Sequence, residues 1–541
     1  MAEGFIDYLK KFIDQNKRFL FLLAGACVLS YGFSITHYSI GIDTTRTQYY
    51  ITDLGLVGQG RLTGILIDRL LFPLGQIPFW SLSVGIMFLY CAVVLLAMLF
   101  TRILKDRVNQ NALTIFGTVM VSYPMLNETY IYGHIGYNIN FLLTALVLYS
   151  LYDLLSGFSI KKAILPAIIM VFSISYNESY CAVVLVGTFI ILILQLISAE
   201  GEKLSLKKAF LFFVAVLGIL VAAIIAEKVV EKAAILVLHP QSLGGANNDM
   251  EWQQYGILGA AKLLSIGIIY RYILSAYWYF PTAALCVSAL IIVVVSIYLA
   301  IGKKRPIALL LAAGLLLSVI SLSLIKGHVA HYRMCTAFAP FIGFTAMLVY
   351  LLLNKKWMRI IYGVLMIVLV VNQTRALNNW FVNDYLRYEN DKEIALQTAK
   401  DLERDFDTSK PVVFVGNTAM APQVNKVATN GLPIIGWATI TGQSDEQMHI
   451  FMLMHGHEFV EGTQSMIDNG RMLAENQAVY PKEGYIVDYD DFIVVNYGNE
   501  YKWRLLDKEK AVKEWYTNTL TALTGMDRDY VAGQIETAIN Q

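Results

Sequence analysis

Residues 82–100 read LSVGIMFLYCAVVLLAMLF, and residues 101–107 read TRILKDR. The first run carries no charge and has the length a helix needs to cross the hydrocarbon core of a bilayer, about 20 residues. The second brings Arg102, Lys105 and Arg107 together directly behind it. An apolar span closed by a basic cluster marks a membrane helix whose end stays on the cytoplasmic side.

Ten further stretches have the same apolar character: 19–35, 112–126, 135–155, 163–177, 179–197, 209–227, 281–301, 306–325, 335–353 and 357–376. The stretches 112–126 and 163–177 are short for a span. Every second connection is basic. Lys10, Lys11, Lys17 and Arg18 precede the first span, Lys161 and Lys162 follow the fourth, and Lys203, Lys207 and Lys208 the sixth. Lys303, Lys304 and Arg305 follow the eighth, and Lys355, Lys356 and Arg359 the tenth. This alternation predicts a cytoplasmic N-terminus and, with about eleven spans, an outward C-terminus. Residues 1–18 are amphipathic, lack a cleavage signature, and are expected on the inner membrane surface.

The composition of the 541 residues agrees: 56% hydrophobic, 15% charged, mean hydropathy +0.54. Soluble domains carry about 25% charged residues, so a cytosolic multidomain enzyme is excluded, as are disorder and collagen. A formal charge of +1 offers no basic surface for nucleic acid. The five cysteines all fall in predicted spans, so no disulfide framework is expected.

From 377 to 541 the composition turns mixed, and an outward α/β domain is expected. Residues 384–407 are patterned as a helix, Pro411–Gly416 reads as a buried strand, Tyr485–Tyr497 holds two short strands, and 505–540 is helical again. The segment 228–280 mixes polar and aromatic residues and reads as an outer loop region.

The first outer loop, 36–81, is far longer than the other outer connections, and long loops in compact proteins commonly carry function. It holds Asp43, Arg46, Asp53 and Gly58-Gln59-Gly60-Arg61, then the apolar helical spacing of 62–72. Asp43 follows the first span closely, where a carboxylate can take a proton from a hydroxyl near the membrane surface. A helix cap or an ion pair with Arg46 fits the same position. Glu128 and Glu178 stand in two copies of Asn-Glu-[Ser/Thr]-Tyr, each at the outer end of a short span. Glu178 falls inside an almost continuous apolar stretch, which predicts a wet cavity, a cationic partner or a hairpin tip. Arg61, Arg271, Lys326 and Arg333 are outward cations that could bind phosphate, Arg through its planar fork, although span-flanking cations also serve as plain anchors. Asp53, His134, Tyr270, His331 and Tyr332 are candidate substrate contacts. His328-x-x-His331 and His455-Gly-His457 could bind metal but lack the company of a defined site. Gly58-x-Gly60 follows no strand and is not a nucleotide loop.

These pieces together resemble the GT-C glycosyltransferases and, more closely, the bacterial GtrII glucosyltransferases. The residues that carry the resemblance are His37-Tyr38-Ser39-Ile40-Gly41-Ile42-Asp43, Gly60-Arg61, and His331-Tyr332-Arg333 leading into Ala337-Phe338-Ala339-Pro340-Phe341. In the tail they are Asn390-Asp391-Lys392, Ala399–Glu403, Pro411–Gly416 and Tyr480-Pro481-Lys482-Glu483-Gly484. The resemblance implies a GT-C-like polytopic helical fold in a bacterial plasma membrane. It implies glucosyl transfer on the outer face, from undecaprenyl-phosphate glucose or a similar polyprenyl-phosphate sugar to a surface polysaccharide. It also implies a first-loop acidic general base, Asp43 by position, in an inverting displacement. Thr44 stands where a second acidic residue is common, which leaves that role open among Asp53, Glu128 and Glu178 and leaves a divalent metal an open question. A polymerase or ligase of lipid-linked glycans, a lipid-linked sugar transporter, and a non-catalytic scaffold are the alternatives.

Overall fold

The computed structural model describes residues 2–39, 57, 60–71, 78–126, 135–198, 204–239, 251–269, 279–327, 329–330, 334–416 and 444–498, with 513–514, 517–518, 520–521 and 527–540 near the C-terminus. All eleven expected spans contain helix. In chain order the helices of the apolar part are α1 (Ala2–Gln15), α2 (Lys17–Thr36), α3 (Leu62–Leu71), α4 (Pro78–Leu104), α5 (Gln110–Val121), α6 (Ile135–Leu151), α7 (Ile160–Tyr176) and α8 (Tyr180–Ile197). They continue as α9 (Leu206–Leu238), α10 (Glu251–Gly267), α11 (Tyr279–Ile297), α12 (Ile307–Val319), α13 (Ser321–Lys326), α14 (Phe338–Leu352) and α15 (Lys356–Asp405).

Among the described residues, seven helical stretches are long and apolar enough to cross a membrane: Lys17–Thr36, Phe79–Arg107, Asn138–Ser156, Tyr180–Ile197, Leu206–Leu238, Ala283–Gly302 and Lys356–Asp405. The other four expected spans are shorter helices. The expected span 112–126 stops as a helix at Val121, where Ser122 turns its hydroxyl back onto the Thr118 carbonyl. The expected span 306–325 is broken at Ile320 (φ −103°, ψ 11°), which separates α12 from α13.

Two helices run past their expected ends. α9 has 33 residues, about 50 Å at 1.5 Å per residue, well beyond a 30 Å hydrocarbon core. It does not stop where hydrophobicity stops: Lys228 pairs with both Glu227 and Glu231 in the turns beyond Ala226. So residues 228–238, expected in a loop region, are helix, and 251–267 form a further helix kinked at Gly256. α15 has 50 residues and spans about 75 Å, crossing the expected domain boundary at 376/377 without a break.

The basic loops gather at one end of the bundle, and several of their side chains close neighbouring helices. Arg107 donates to the Ile197 carbonyl at 2.5 Å, Arg305 to the Leu196 carbonyl, and Arg359 to the Leu353 carbonyl at 2.7 Å. These carbonyls lie at helix C-termini, where the last turn lacks partners and carries partial negative charge. Arg102 pairs with Asp153 at 2.5 Å, and Gln110 holds the Gln15 carbonyl at 2.6 Å. Through this end α1 is bolted to the bundle: Phe12 is buried, Phe5 meets the edge of Tyr149, and the Tyr8 hydroxyl donates to the Met98 carbonyl.

One hydrophobic core runs from Phe12 to Phe381, filled by large rings such as Tyr31, Phe116, Phe141, Tyr180 and Phe341. Polar pairs inside it tie α15 to its neighbours, Ser122 to Gln373 at 2.8 Å and Ser30 to Thr374 at 3.3 Å.

A second core begins on the same helix. Ile394, Ala395, Ala399 and Leu402 of α15 pack with strand β1 (Val412–Val415), helix α16 (Ser444–Met454) and strands β2 (Ile486–Tyr489) and β3 (Phe492–Asn496), while helix α17 (Gln464–Ala474) packs on β1 and β3 through a separate cluster that includes Val413, Val415, Ala474 and Val494. The sheet order is β1-β3-β2, with β1 parallel and β2 antiparallel to β3. A last helix, α18 (Arg528–Asn540), lies against α10.

α16 serves the backbone of β1 with two side chains one turn apart. Asp445 accepts the Phe414 N–H at 2.7 Å, and His449 Nε2 donates to the Val412 carbonyl at 2.8 Å. His449 Nδ1 is buried without a hydrogen bond. Burial holds this imidazole below its ordinary pKa, with the Val412 carbonyl and Glu461 opposing the shift. The folded form thus resists a proton that the unfolded chain accepts below about pH 6.5. Stability of the tail is expected to be full above that pH and to fall as pH drops through it. Denaturation of His449→Gln, which retains a donor for Val412, should show a flatter pH dependence from 5 to 7; an unchanged slope would refute the account.

Candidate functional site at the end opposite the basic loops

The start of the first long loop is held by α15. His37 caps α2, stacks on Phe33 with ring centroids 4.1 Å apart, and meets the edge of Tyr385 at 5.1 Å. Ser39 donates to the carboxylate of Asp384, which is buried. Tyr38 packs against both cores. The chain leaves this clamp four residues before Asp43.

The loop is held again at Gly60. Its φ of +75° is a left-handed conformation that glycine adopts without strain. Its open side faces α9: a Cβ there would stand 3.0 Å from the Glu231 carboxylate and 3.3 Å from that of Glu227. Ser175, near the end of α7, donates to the Gly60 carbonyl at 3.3 Å and accepts the Thr63 N–H at 3.2 Å. These contacts fix Arg61, exposed, at the entrance to α3, which packs on α7.

Beside this turn stands a charged group. Glu227 is 3% exposed. Its Oε2 lies 3.4 Å from Lys228 Nζ yet receives no aligned hydrogen bond. Lys228 also pairs with Glu231. Glu178, within electrostatic reach of Glu227, sits in the tight turn between α7 and α8. There the Asn177 side chain accepts the Ser179 N–H at 2.9 Å. Glu178 is exposed at a hairpin tip rather than sunk in an apolar stretch, because the backbone turns at Asn177 and releases it.

Lys326 ends α13 and is half-buried. The next residue, Gly327, has φ +79° and lies under the Trp252 indole, whose Nε1 donates to the Leu324 carbonyl at 2.9 Å. Trp252 thereby ties α10 to the end of α13. Ser323 accepts the Ala330 N–H at 3.0 Å, and Val329 and Ala330 are buried. The triplet His331-Tyr332-Arg333 thus follows a firmly anchored pair.

Of the residues singled out in the sequence, the structure brings Arg61 and Glu178 to the same neighbourhood and places Lys326 beside the Trp252 stack. Asp43, Asp53, Glu128, His134, Tyr270, Arg271, His331, Tyr332 and Arg333 lie outside the described residues. Sequence reasoning missed Glu227, Lys228, Glu231 and Asp384. A signal existed for the first three: Glu227 and Glu231 recur at i, i+4 just where a long apolar run ends. The histidine pair of the tail is engaged in packing: His455 bonds the Phe451 carbonyl and faces the Tyr388 hydroxyl, and His457 pairs with Glu403 at 2.6 Å. Among the described residues no group of three or more His, Cys, Asp or Glu could hold a metal ion.

A helical bundle with apolar exteriors, basic at one end and bearing a braced long loop at the other, defines a polytopic membrane protein. The chain belongs to the family described as Glucosyl transferase GtrII, whose profile matches residues 32–350, from the last turn of α2 through α14. That membership makes it a membrane glycosyltransferase. No curated protein sequence matches it.

The geometry at Gly60 yields a direct expectation. Gly60→Ala would put a side chain in a left-handed conformation and press it on Glu231, costing about 1–3 kcal/mol. Glycosyl transfer should fall at least severalfold; normal turnover with an unchanged melting temperature would show that the brace has no role.

Proposed function

We propose that the protein moves a hexose, glucose by family likeness, from a polyprenyl-phosphate sugar to a cell-surface polysaccharide on the outer face of the membrane. The observation that carries this reading is the family match over 32–350, which includes the whole long loop with Asp43 and the His331-Tyr332-Arg333 segment. The positive-inside rule assigns the basic end to the cytoplasm, so the loop end faces outward. No nucleotide sugar is supplied there, and a donor carried by the bilayer is the available alternative.

The chemistry follows from the groups required. The acceptor hydroxyl loses its proton to the Asp43 carboxylate as its oxygen bonds to C1 of the sugar. The bond from C1 to the phosphate oxygen breaks on the opposite side, which inverts the anomeric centre. The polyprenyl phosphate departs with the electron pair, and Arg333, Arg271, Arg61 and Lys326 are the cations suited to its growing charge. Glu128 and Glu178 are the further acidic candidates, and Asp53, His134, Tyr270, His331 and Tyr332 the candidate sugar and acceptor contacts.

The test is transfer by the purified protein from radiolabelled polyprenyl-phosphate glucose to a polysaccharide acceptor, with nucleotide-linked glucose as the rival donor. Label should enter polymer from the lipid donor alone. Transfer from the nucleotide donor but not from the lipid would refute the reading.

A further inference from the structure

At the basic end of the bundle, a cleft of about 630 Å³ opens between the 3-10 turn Tyr152–Ser156 with its following Gly157-Phe158 and the first turns of α9. It lies at the opposite end of the bundle from the long loop. Its floor is apolar and buried, made by Leu154, Leu155 and Phe212. Its rim is apolar and exposed: Phe158 is 64% exposed and Leu211 55%. That rim continues into the exposed apolar sides of α7 at Ile164 and Leu165 and of α9 at Val214 and Leu217.

The mouth is cationic. Lys207 and Lys208 line it. Lys162 stands at its edge, its ammonium 2.9 Å from Ser156 Oγ and 3.4 Å from the Gly157 carbonyl. Among the described residues no carboxylate lines the cleft, and nearby Asp153 is engaged by Arg102. Gly157, at φ +139°, leaves open space where a side chain would stand.

We propose that this cleft binds an anionic phospholipid from the leaflet at the basic end, with the phosphate between Lys162, Lys207 and Lys208 and the acyl chains on Phe158 and Leu211. The combination selects this occupant. A free phosphate would have no use for an apolar floor open to the lipid side, and a zwitterionic lipid would gain little from three lysines. Basic pockets between membrane helices recognise anionic head groups by the same chemistry. Nothing in the proposal depends on glucosyl transfer, and its readout is lipid retention rather than turnover.

The test uses the full chain in neutral detergent, stripped of lipid and supplied with phosphatidylglycerol or phosphatidylcholine, with bound lipid counted by native mass spectrometry. Wild type should retain phosphatidylglycerol over phosphatidylcholine, and Lys207→Gln/Lys208→Gln should lose roughly tenfold of that preference. Lys355→Gln/Lys356→Gln, on another basic loop of the same end, should keep it. Equal retention of both lipids, equal loss in both double variants, or displacement by inorganic phosphate would each overturn the proposal. Stronger competition by polyprenyl phosphate would overturn the phospholipid as occupant.

Discussion

Asp43→Asn is expected to lower glycosyl transfer by about 10²–10⁴-fold, the usual contribution of a positioned general base. The substitution keeps size and polarity and removes the proton acceptor, so donor binding should be nearly unchanged. The expected signature is therefore a fall in kcat with KM for the polyprenyl-phosphate sugar held constant. The loop that carries this residue is tied at both ends, by Ser39 on Asp384 and by Gly60 on Ser175 of α7, so the variant has no reason to misfold. A folded Asp43→Asn protein with more than a tenth of wild-type turnover would remove Asp43 from the role. Glu178→Gln is the companion measurement, because Glu178 is the described member of the acidic candidates.

Gly416→Ala is expected to be the most damaging single methyl in the tail, at about 3–5 kcal/mol. Gly416 ends β1 at φ +78°, already a cost for any L side chain. Its missing Cβ would also fall on the carbonyl of Gly498, 2.7 Å from its carbon and 2.8 Å from the Gly498 nitrogen. Backbone cannot swing away as a side chain can. Tyr497 donates to the Val415 carbonyl at 2.8 Å, so the two segments are already drawn together there. Hydrogen exchange over β1 and β3 should rise sharply in Gly416→Ala and stay put in Gly363→Ala, where a methyl meets open space on α15. Equal protection in the two variants would show that the close approach is not real.

The positions of the helices were legible in the sequence because burying a helix in lipid demands an uninterrupted apolar run. Their ends were harder to read. Hydrophobicity stops near Ala226, but α9 continues, with Lys228 standing between the carboxylates of Glu227 and Glu231. The change of composition near 377 reads as a boundary, yet Thr374–Phe381 contains neither Gly nor Pro, and α15 passes through it. The small sheet was legible from the runs Val412–Val415 and Phe492–Asn496, since buried strands are apolar throughout. The brace at Gly60 was not, because it joins a loop to Ser175, more than a hundred residues along the chain. Spacing within one segment cannot report contacts of that kind.

A helix that belongs to two cores also sets the angle between them. Leu377, Trp380 and Phe381 of α15 are committed to the bundle, and Ile394, Ala395 and Ala399 to the sheet. Each residue of an α-helix turns the chain by about 100° and advances it 1.5 Å. One residue inserted between Phe381 and Asp384 would therefore swing the tail by about 100° around the helix axis and part Ser39 from Asp384, while four would nearly restore its bearing and raise it about 6 Å. The tail is indexed like a key on a shaft, and its bearing toward the long loop is written in the number of residues between two hydrophobic patches.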